Sequence, residues 1–176
     1  MIPTLKTERL LLRPFCLTDF QRYAEYCADE EVMRYIGAGG PISGTDAWRQ
    51  MAFFLGHWQL LGHGMWAVQL HESGELIGRA GFLEPEGWPG FELGWLLGRE
   101  FWGHGFATEA AARALTFARD ELHRESVISL IYPENAASIR VAERLGEQFE
   151  GRVEVRTIEA AVYGIHRDRW EAQALS

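Results

Sequence analysis

The stretch Trp102-Gly103-His104-Gly105-Phe106-Ala107-Thr108 lies between an apolar run, Phe91-Glu92-Leu93-Gly94-Trp95-Leu96-Leu97, and a pattern with Ala110, Ala114, Ala118 and Leu122 at four-residue spacing. It therefore reads as the turn from a strand into a long helix, predicted from Gly103 to about Leu122, whose small residues let it lie close to a sheet. A helix start presents unpaired N–H groups and partial positive charge, which suits a phosphate or pyrophosphate. Gly103 and Gly105 let backbone approach an anion with no Cβ in the way. Glu109 would oppose an anion unless its side chain points aside.

Outward from this turn the chain orders itself. Thr7 to Arg13 reads as a short strand ended by Pro14, and Thr18 or Asp19 caps an amphipathic helix that fades near Tyr35-Ile36. The loop Gly37-Ala38-Gly39-Gly40-Pro41 precedes a helix over 43–61 carrying Trp48, Met51, Phe54, Leu55 and Trp58. Strands over 64–71 and 75–83 join across Glu72-Ser73-Gly74, and after the turn at 84–90 the run 91–97 completes a meander. Val127 to Tyr132 reads as a fully buried strand, Ala136 to Leu145 as a helix stopped by Gly146, and 148–156 and 158–166 as two further strands. The order β-α-α-β-β-β-α-β-α-β-β makes an α+β fold with a mixed sheet, antiparallel in its first half.

Composition narrows the function classes. A chain of 176 residues with 47% hydrophobic content suits one domain over 1–176 with one full core. Two cysteines, Cys16 and Cys27, form no CxxC pair and are expected in the core, which speaks for a reducing compartment. No window is apolar enough for a membrane span and the N-terminus has no apolar signal core, so a cytoplasmic protein with no membrane partner is expected. A net charge of −8 without a basic run argues against nucleic acid as partner. The six histidines show no HxH or HExxH spacing, so no metal site is predicted.

Among phosphate-binding turns, the P-loop lacks its Lys-Ser or Lys-Thr, and the GxGxxG fingerprint fails at Thr108. An acetyl-CoA turn and a glycine-rich helix start without ligand remain. Here three segments are decisive: Glu92-Leu93-Gly94-Trp95-Leu96-Leu97, the turn Phe101 to Ala110, and Glu134-Asn135-Ala136-Ala137-Ser138-Ile139-Arg140-Val141-Ala142-Glu143-Arg144-Leu145-Gly146. In this order, and together with Thr7-Glu8-Arg9-Leu10-Leu11-Leu12-Arg13, they resemble GNAT N-acetyltransferases over nearly the whole chain, most of all the ribosomal-protein-alanine N-acetyltransferase branch. Trp102 stands where most of the family has Gln or Arg, so the backbone from Gly103 to Thr108 carries the expected pyrophosphate contact.

The resemblance implies acetyl-CoA as cosubstrate and transfer of its acetyl group to a primary amine, on a protein N-terminus or a small molecule. It implies a splay between the strand of Leu93 to Leu97 and that of Val127 to Tyr132. Pantetheine would then pair with Trp95, Leu96 and Leu97, and an N–H near Leu96 or Leu97 would polarise the thioester. It also implies cofactor contacts at Trp102, Gly103, His104, Gly105, Phe106, Ala107, Thr108, Asn135 and Ser138. Many members protonate the leaving thiolate with a Tyr where this chain has Ala142; the ribosomal-protein branch uses a Ser, and Ser138 fills its position. Glu92 is the expected base, with Glu84, Glu86, Glu154 and Glu159 as alternatives, and Tyr163 is expected to wall the pocket. A homodimer is a further expectation of the family. A silent CoA- or acyl-CoA-binding regulator on the same fold is the competing function.

Overall fold

In a computed structural model, residues 1–155 and 157–174 are described, with side chains up to Trp170. The chain opens with a hairpin, β1 (Leu5–Lys6) and β2 (Leu10–Arg13), where the sequence suggested one strand. The reason is local: Thr7 turns the chain, its N–H meeting the Leu10 carbonyl at 3.0 Å and its hydroxyl accepting the Leu10 N–H at 2.9 Å. A 3₁₀ turn at Leu17–Asp19 leads to α1 (Phe20–Ala28) and α2 (Glu30–Met33). The expected single helix breaks at Asp29, which is extended and caps α2 through its carboxylate. Cys27 is buried, whereas Cys16 is exposed at the helix start, so only one of the two belongs to the core.

Ser43 caps α3 (Gly44–Leu61), which ends at Gly62 with φ 73°. The strands β3 (Met65–Leu70), β4 (Leu76–Leu83) and β5 (Glu92–Leu97) form the expected meander. α4 (Phe106–Asp120) starts three residues later than read from the sequence, because Gly103 and Gly105 have φ of 77° and 81° and cannot belong to a right-handed helix. Then come β6 (Ser126–Ile131), α5 (Ala136–Arg144), β7 (Gln148–Val155), β8 (Ile158–His166) and α6 (Arg167–Ala174), a terminal helix the sequence reading did not foresee. Arg156, the expected end of β7, lies outside the described residues.

The eight strands make one sheet in the order β1-β2-β3-β4-β5-β6-β8-β7, with β5 and β6 its one parallel pair. Helices cover both faces. On one, Ala110, Ala114 and Ala118 of α4 are fully buried against Trp66, Phe82 and Leu93, the small residues allowing the close approach anticipated from their spacing. On the other, α1 and α3 enclose Tyr23, Met51, Phe54 and Met65. Each large apolar side chain buried in these layers contributes about 1.5–3 kcal/mol. β6 is not uniformly buried as expected; its residues alternate between buried and half-buried because one side of it borders a cleft.

Candidate active site

A single bridge, Glu92 to Ile128, joins β5 to β6, with the Ile128 N–H donating to the Phe91 carbonyl at 3.0 Å. Side chains replace the ladder beyond it. The Ser129 hydroxyl reaches the Leu93 carbonyl at 2.9 Å, while the Leu130 N–H, which a continued parallel ladder would aim there, acts on the Glu92 carboxyl. The strands then part, giving the splay that the resemblance implied.

Which groups of β5 face the gap follows from alternation. The Gly98 N–H donates to the Ile77 carbonyl at 2.9 Å, so in the β4–β5 register the backbones of Gly94 and Leu96 bond to β4, and those of Trp95 and Leu97 face the gap. The expected donor at Leu96 is thus turned away, leaving the N–H groups of Trp95 and Leu97. The Leu97 carbonyl is already occupied by the Trp102 indole N–H at 2.9 Å.

Glu92 is a buried carboxyl at the mouth of the splay, which excludes an exposed strand residue. Its Oε2 accepts the Trp88 indole N–H at 2.7 Å. Burial pushes its pKa up to about 7, while the Trp88 N–H, the charge of Arg79 and the Leu130 N–H pull the other way. A carboxyl poised there exists in both forms near neutrality, as a general base requires.

A second buried carboxyl was missed by the sequence reading. Glu147 Oε1 lies 3.0 Å from the Ser129 hydroxyl, and its Oε2 has no partner among the described residues. Burial raises its pKa to about 8, against the Ser129 hydrogen bond and with help from the negative charges of Glu150 and Glu92. The Ser129 hydroxyl has one proton and two oxygens within reach. With Glu147 as the acid, Glu147 donates to Ser129 and Ser129 donates to the Leu93 carbonyl, so both protons have an acceptor in that state. The available signals were a serine inside the apolar run 126–131 and a glutamate directly after the helix-stopping Gly146.

At the turn, Gly103, His104 and Gly105 are exposed, and the start of α4 opens to solvent. Glu109 does point aside: it accepts the Thr7 hydroxyl at 2.5 Å and the Arg9 N–H at 3.0 Å, and pairs with the Arg9 guanidinium at 2.6 Å. Arg9 also donates to the His104 carbonyl at 3.0 Å, so the first hairpin braces the turn and neutralises the only carboxylate in the first turn of α4. The His104 ring stacks on Phe106 at 5.7 Å.

Across the gap, Asn135 caps α5 by accepting the Ser138 N–H at 3.1 Å, and its amide donates to the Ser138 hydroxyl at 3.0 Å. The hydroxyl thereby accepts one hydrogen bond and can direct its proton elsewhere. Both residues line a cleft of 830 Å³ that also includes Arg79, Trp88, Glu92, Trp95, Ser129 and Tyr132. Tyr132 holds the loop at Gly37 across this cleft, its hydroxyl donating to that carbonyl at 2.9 Å. Tyr163 does not wall the cleft as expected; it packs edge-on against Phe149.

The alternative carboxylates are placed elsewhere. Glu84 pairs with Arg124 at 2.8 Å and Glu159 with Arg152 at 2.6 Å. Glu86 and Glu154 line an adjoining hollow of 340 Å³ that shares Phe53 and Trp88 with the main cleft. Of the expected bases, Glu92 alone lines the cleft itself.

A family model described as an acetyltransferase (GNAT) domain matches residues 9–148. The chain belongs to the GNAT acetyltransferases. It is 31% identical over 147 residues to the uncharacterized N-acetyltransferase YnaD of Bacillus subtilis, covering 84% of each chain. Among solved structures, an acetyltransferase from Agrobacterium tumefaciens matches with a TM-score of 0.86 and 36% identity over 95% of this chain and 96% of that one. RimL, a ribosomal L7/L12 α-N-protein acetyltransferase solved with coenzyme A, shares the fold at a TM-score of 0.78 and 16% identity, covering 94% of this GNAT chain and 99% of its own. No helix among the described residues is long and apolar enough to cross a membrane.

Proposed function

We propose that acetyl-CoA occupies the gap between β5 and β6 and that the protein transfers its acetyl group to a primary amine, with Glu92 as base and Ser138 as acid. The observation that carries this reading is the single β5–β6 bridge at Glu92, which puts a buried carboxyl where the two strands part. The gap fits an extended pantetheine: it presents the backbone of Trp95 and Leu97, and it runs toward the open amides of Gly103 to Thr108. Those amides, at a helix start with two left-handed glycines, suit a pyrophosphate.

Glu92 would take a proton from the attacking ammonium, so that the neutral nitrogen adds to the thioester carbonyl. The N–H of Trp95 or Leu97 would steady the oxyanion. As the C–S bond breaks, Ser138 would give its proton to the sulfur and recover one, through water, from the nitrogen, which thereby loses its second proton, while Glu92 returns the first to solvent. The products are the N-acetyl amide and free CoA. The acceptor is a small-molecule amine or, as the name of RimL says of that protein, a protein N-terminus.

Acetyl-CoA is expected to raise the melting temperature, by about 2.7 kcal/mol of stabilisation at about 100 times its Kd, whereas NAD and ATP leave it unchanged. Thiol release on adding an amine panel then separates transfer from silent binding: binding without release favours the regulator. Ser138→Ala is expected to lower kcat about 10²-fold with little change in acetyl-CoA affinity measured by calorimetry. Equal turnover in the variant removes Ser138 from the mechanism.

A further inference from the structure

Arg79 is the buried cation of the cleft. It stands on β4, paired with Leu96, and shares a sheet face with Glu92, which is paired with Leu83. Between the two on that face, β4 and β5 contribute only Gly81 and Gly94, and the Met65 side chain of β3 fills the space above Gly94 and reaches Arg79. Arg79 and Glu92 are four positions apart, about 13 Å along the strand, and both reach into the same cavity.

The partners of Arg79 are neutral. Its Nε donates to the Tyr23 hydroxyl at 3.1 Å, one terminal nitrogen lies 3.5 Å from the Met65 sulfur, and the group sits 5.2 Å from the Phe54 ring centre. Among the described residues no carboxylate forms an ion pair with it. Other arginines differ: Arg13 holds Asp19 at 2.6 Å, Arg124 holds Glu84 at 2.8 Å and Arg9 holds Glu109 at 2.6 Å. A guanidinium taken from water with no carboxylate in contact is costly, Glu92 acting on it only from a distance, and a cleft that keeps one suits an anion arriving with the ligand. Carboxylate is the anion the planar fork fits best on an organic amine.

We propose that Arg79 is a specificity-determining residue whose guanidinium binds a carboxylate carried by the acceptor, so that the substrate is an amino acid with its amine at Glu92. This rests on the acetyl-transfer reading above. Met65 and Gly94, which line the cleft between the two charged groups, form the wall along which the carbon chain lies. The separation of amine and carboxylate in the substrate is set by the distance between Glu92 and Arg79.

The test compares ω-amino acids, from glycine to 6-aminohexanoate, with n-alkylamines of equal chain length, using acetyl-CoA and the full chain. At least one amino acid is expected to exceed its alkylamine in kcat/KM by about tenfold or more, the worth of one charge-assisted carboxylate contact. Arg79→Gln is expected to bring that ratio close to one, and Arg79→Lys to restore part of it. Alkylamines that equal or beat every amino acid overturn the proposal. So does an Arg79→Gln variant that shifts the pH profile and keeps the preference, since Arg79 would then act only on Glu92. If Arg79→Gln does not fold, competitive inhibition of alkylamine acetylation by butyrate in the native protein supports the proposal, and its absence overturns it. If no amine releases thiol although acetyl-CoA binds, acetyl transfer is what fails. A melting-temperature rise with 6-aminohexanoate but not with hexylamine then still decides for the Arg79 site, and equal shifts decide against it.

Discussion

Glutamine at position 92 is expected to lower kcat/KM by about two to three orders of magnitude, within the range that a positioned general base contributes. The substitution keeps the shape of the side chain and an oxygen for the Trp88 and Leu130 donors, so the loss isolates proton transfer. In the native protein kcat/KM should rise with pH through about 7, as the carboxylate form of Glu92 appears. The variant should lack that limb. Stability should move in the opposite sense. A carboxyl raised from 4.5 to about 7 on folding gives stability that is fully present below the unfolded value and is lost as pH climbs through the folded one. The native protein therefore loses stability relative to Glu92→Gln between about pH 4.5 and 7, and the difference is constant above that window. Steady-state rates and thermal melts across pH measure both effects. A variant with unchanged rates and an unchanged profile removes Glu92 as the base.

Gly105→Glu is expected to abolish acetyl-CoA binding, a loss of at least about 100-fold in affinity from like-charge repulsion at a site built for anions. Two effects combine there. Gly105 has φ 81°, where an L side chain costs about 1–2 kcal/mol, and the added carboxylate sits at the N-terminus of α4. Gly105→Ala separates them, because it keeps the backbone cost without the charge and should bind acetyl-CoA detectably. Calorimetric titration of both variants checks this. If Gly105→Glu binds as tightly as the native chain, the pyrophosphate does not lie at this turn.

The turn, the meander and the last helix were legible because each is local: Gly103 and Gly105 mark their own left-handed conformations, and Asn135 marks its own cap. The splay was legible only through resemblance. Nothing in the composition of either strand says that Ser129 and Glu92 will take the bonds that the ladder gives up. Glu147 and Arg79 escaped the sequence reading for a related reason. A charged residue is by default assigned to solvent, and its burial depends on neighbours distant in the chain, here Ser129 for one and Tyr23 and Met65 for the other. Of Leu96 and Leu97, both expected to offer the donor, only Leu97 faces the gap, since strand parity is set by the register with β4. Cys16 was placed in the core by residue type and Tyr163 at the pocket by resemblance, and the surrounding elements left one exposed and the other against Phe149.

The lone bridge at Glu92 divides the sheet mechanically. Strands β1 to β5 form one plate and β6 to β8 another, tied by that bridge and the Ser129 and Leu130 contacts beside it, and by the helix α4 that connects them. Such a seam is an unfinished joint. On the proposed reading, a cosubstrate that laid its own amides along it would be a rib of the sheet as well as a reactant, so the protein would be stiffest when loaded and would regain its play when the product departs.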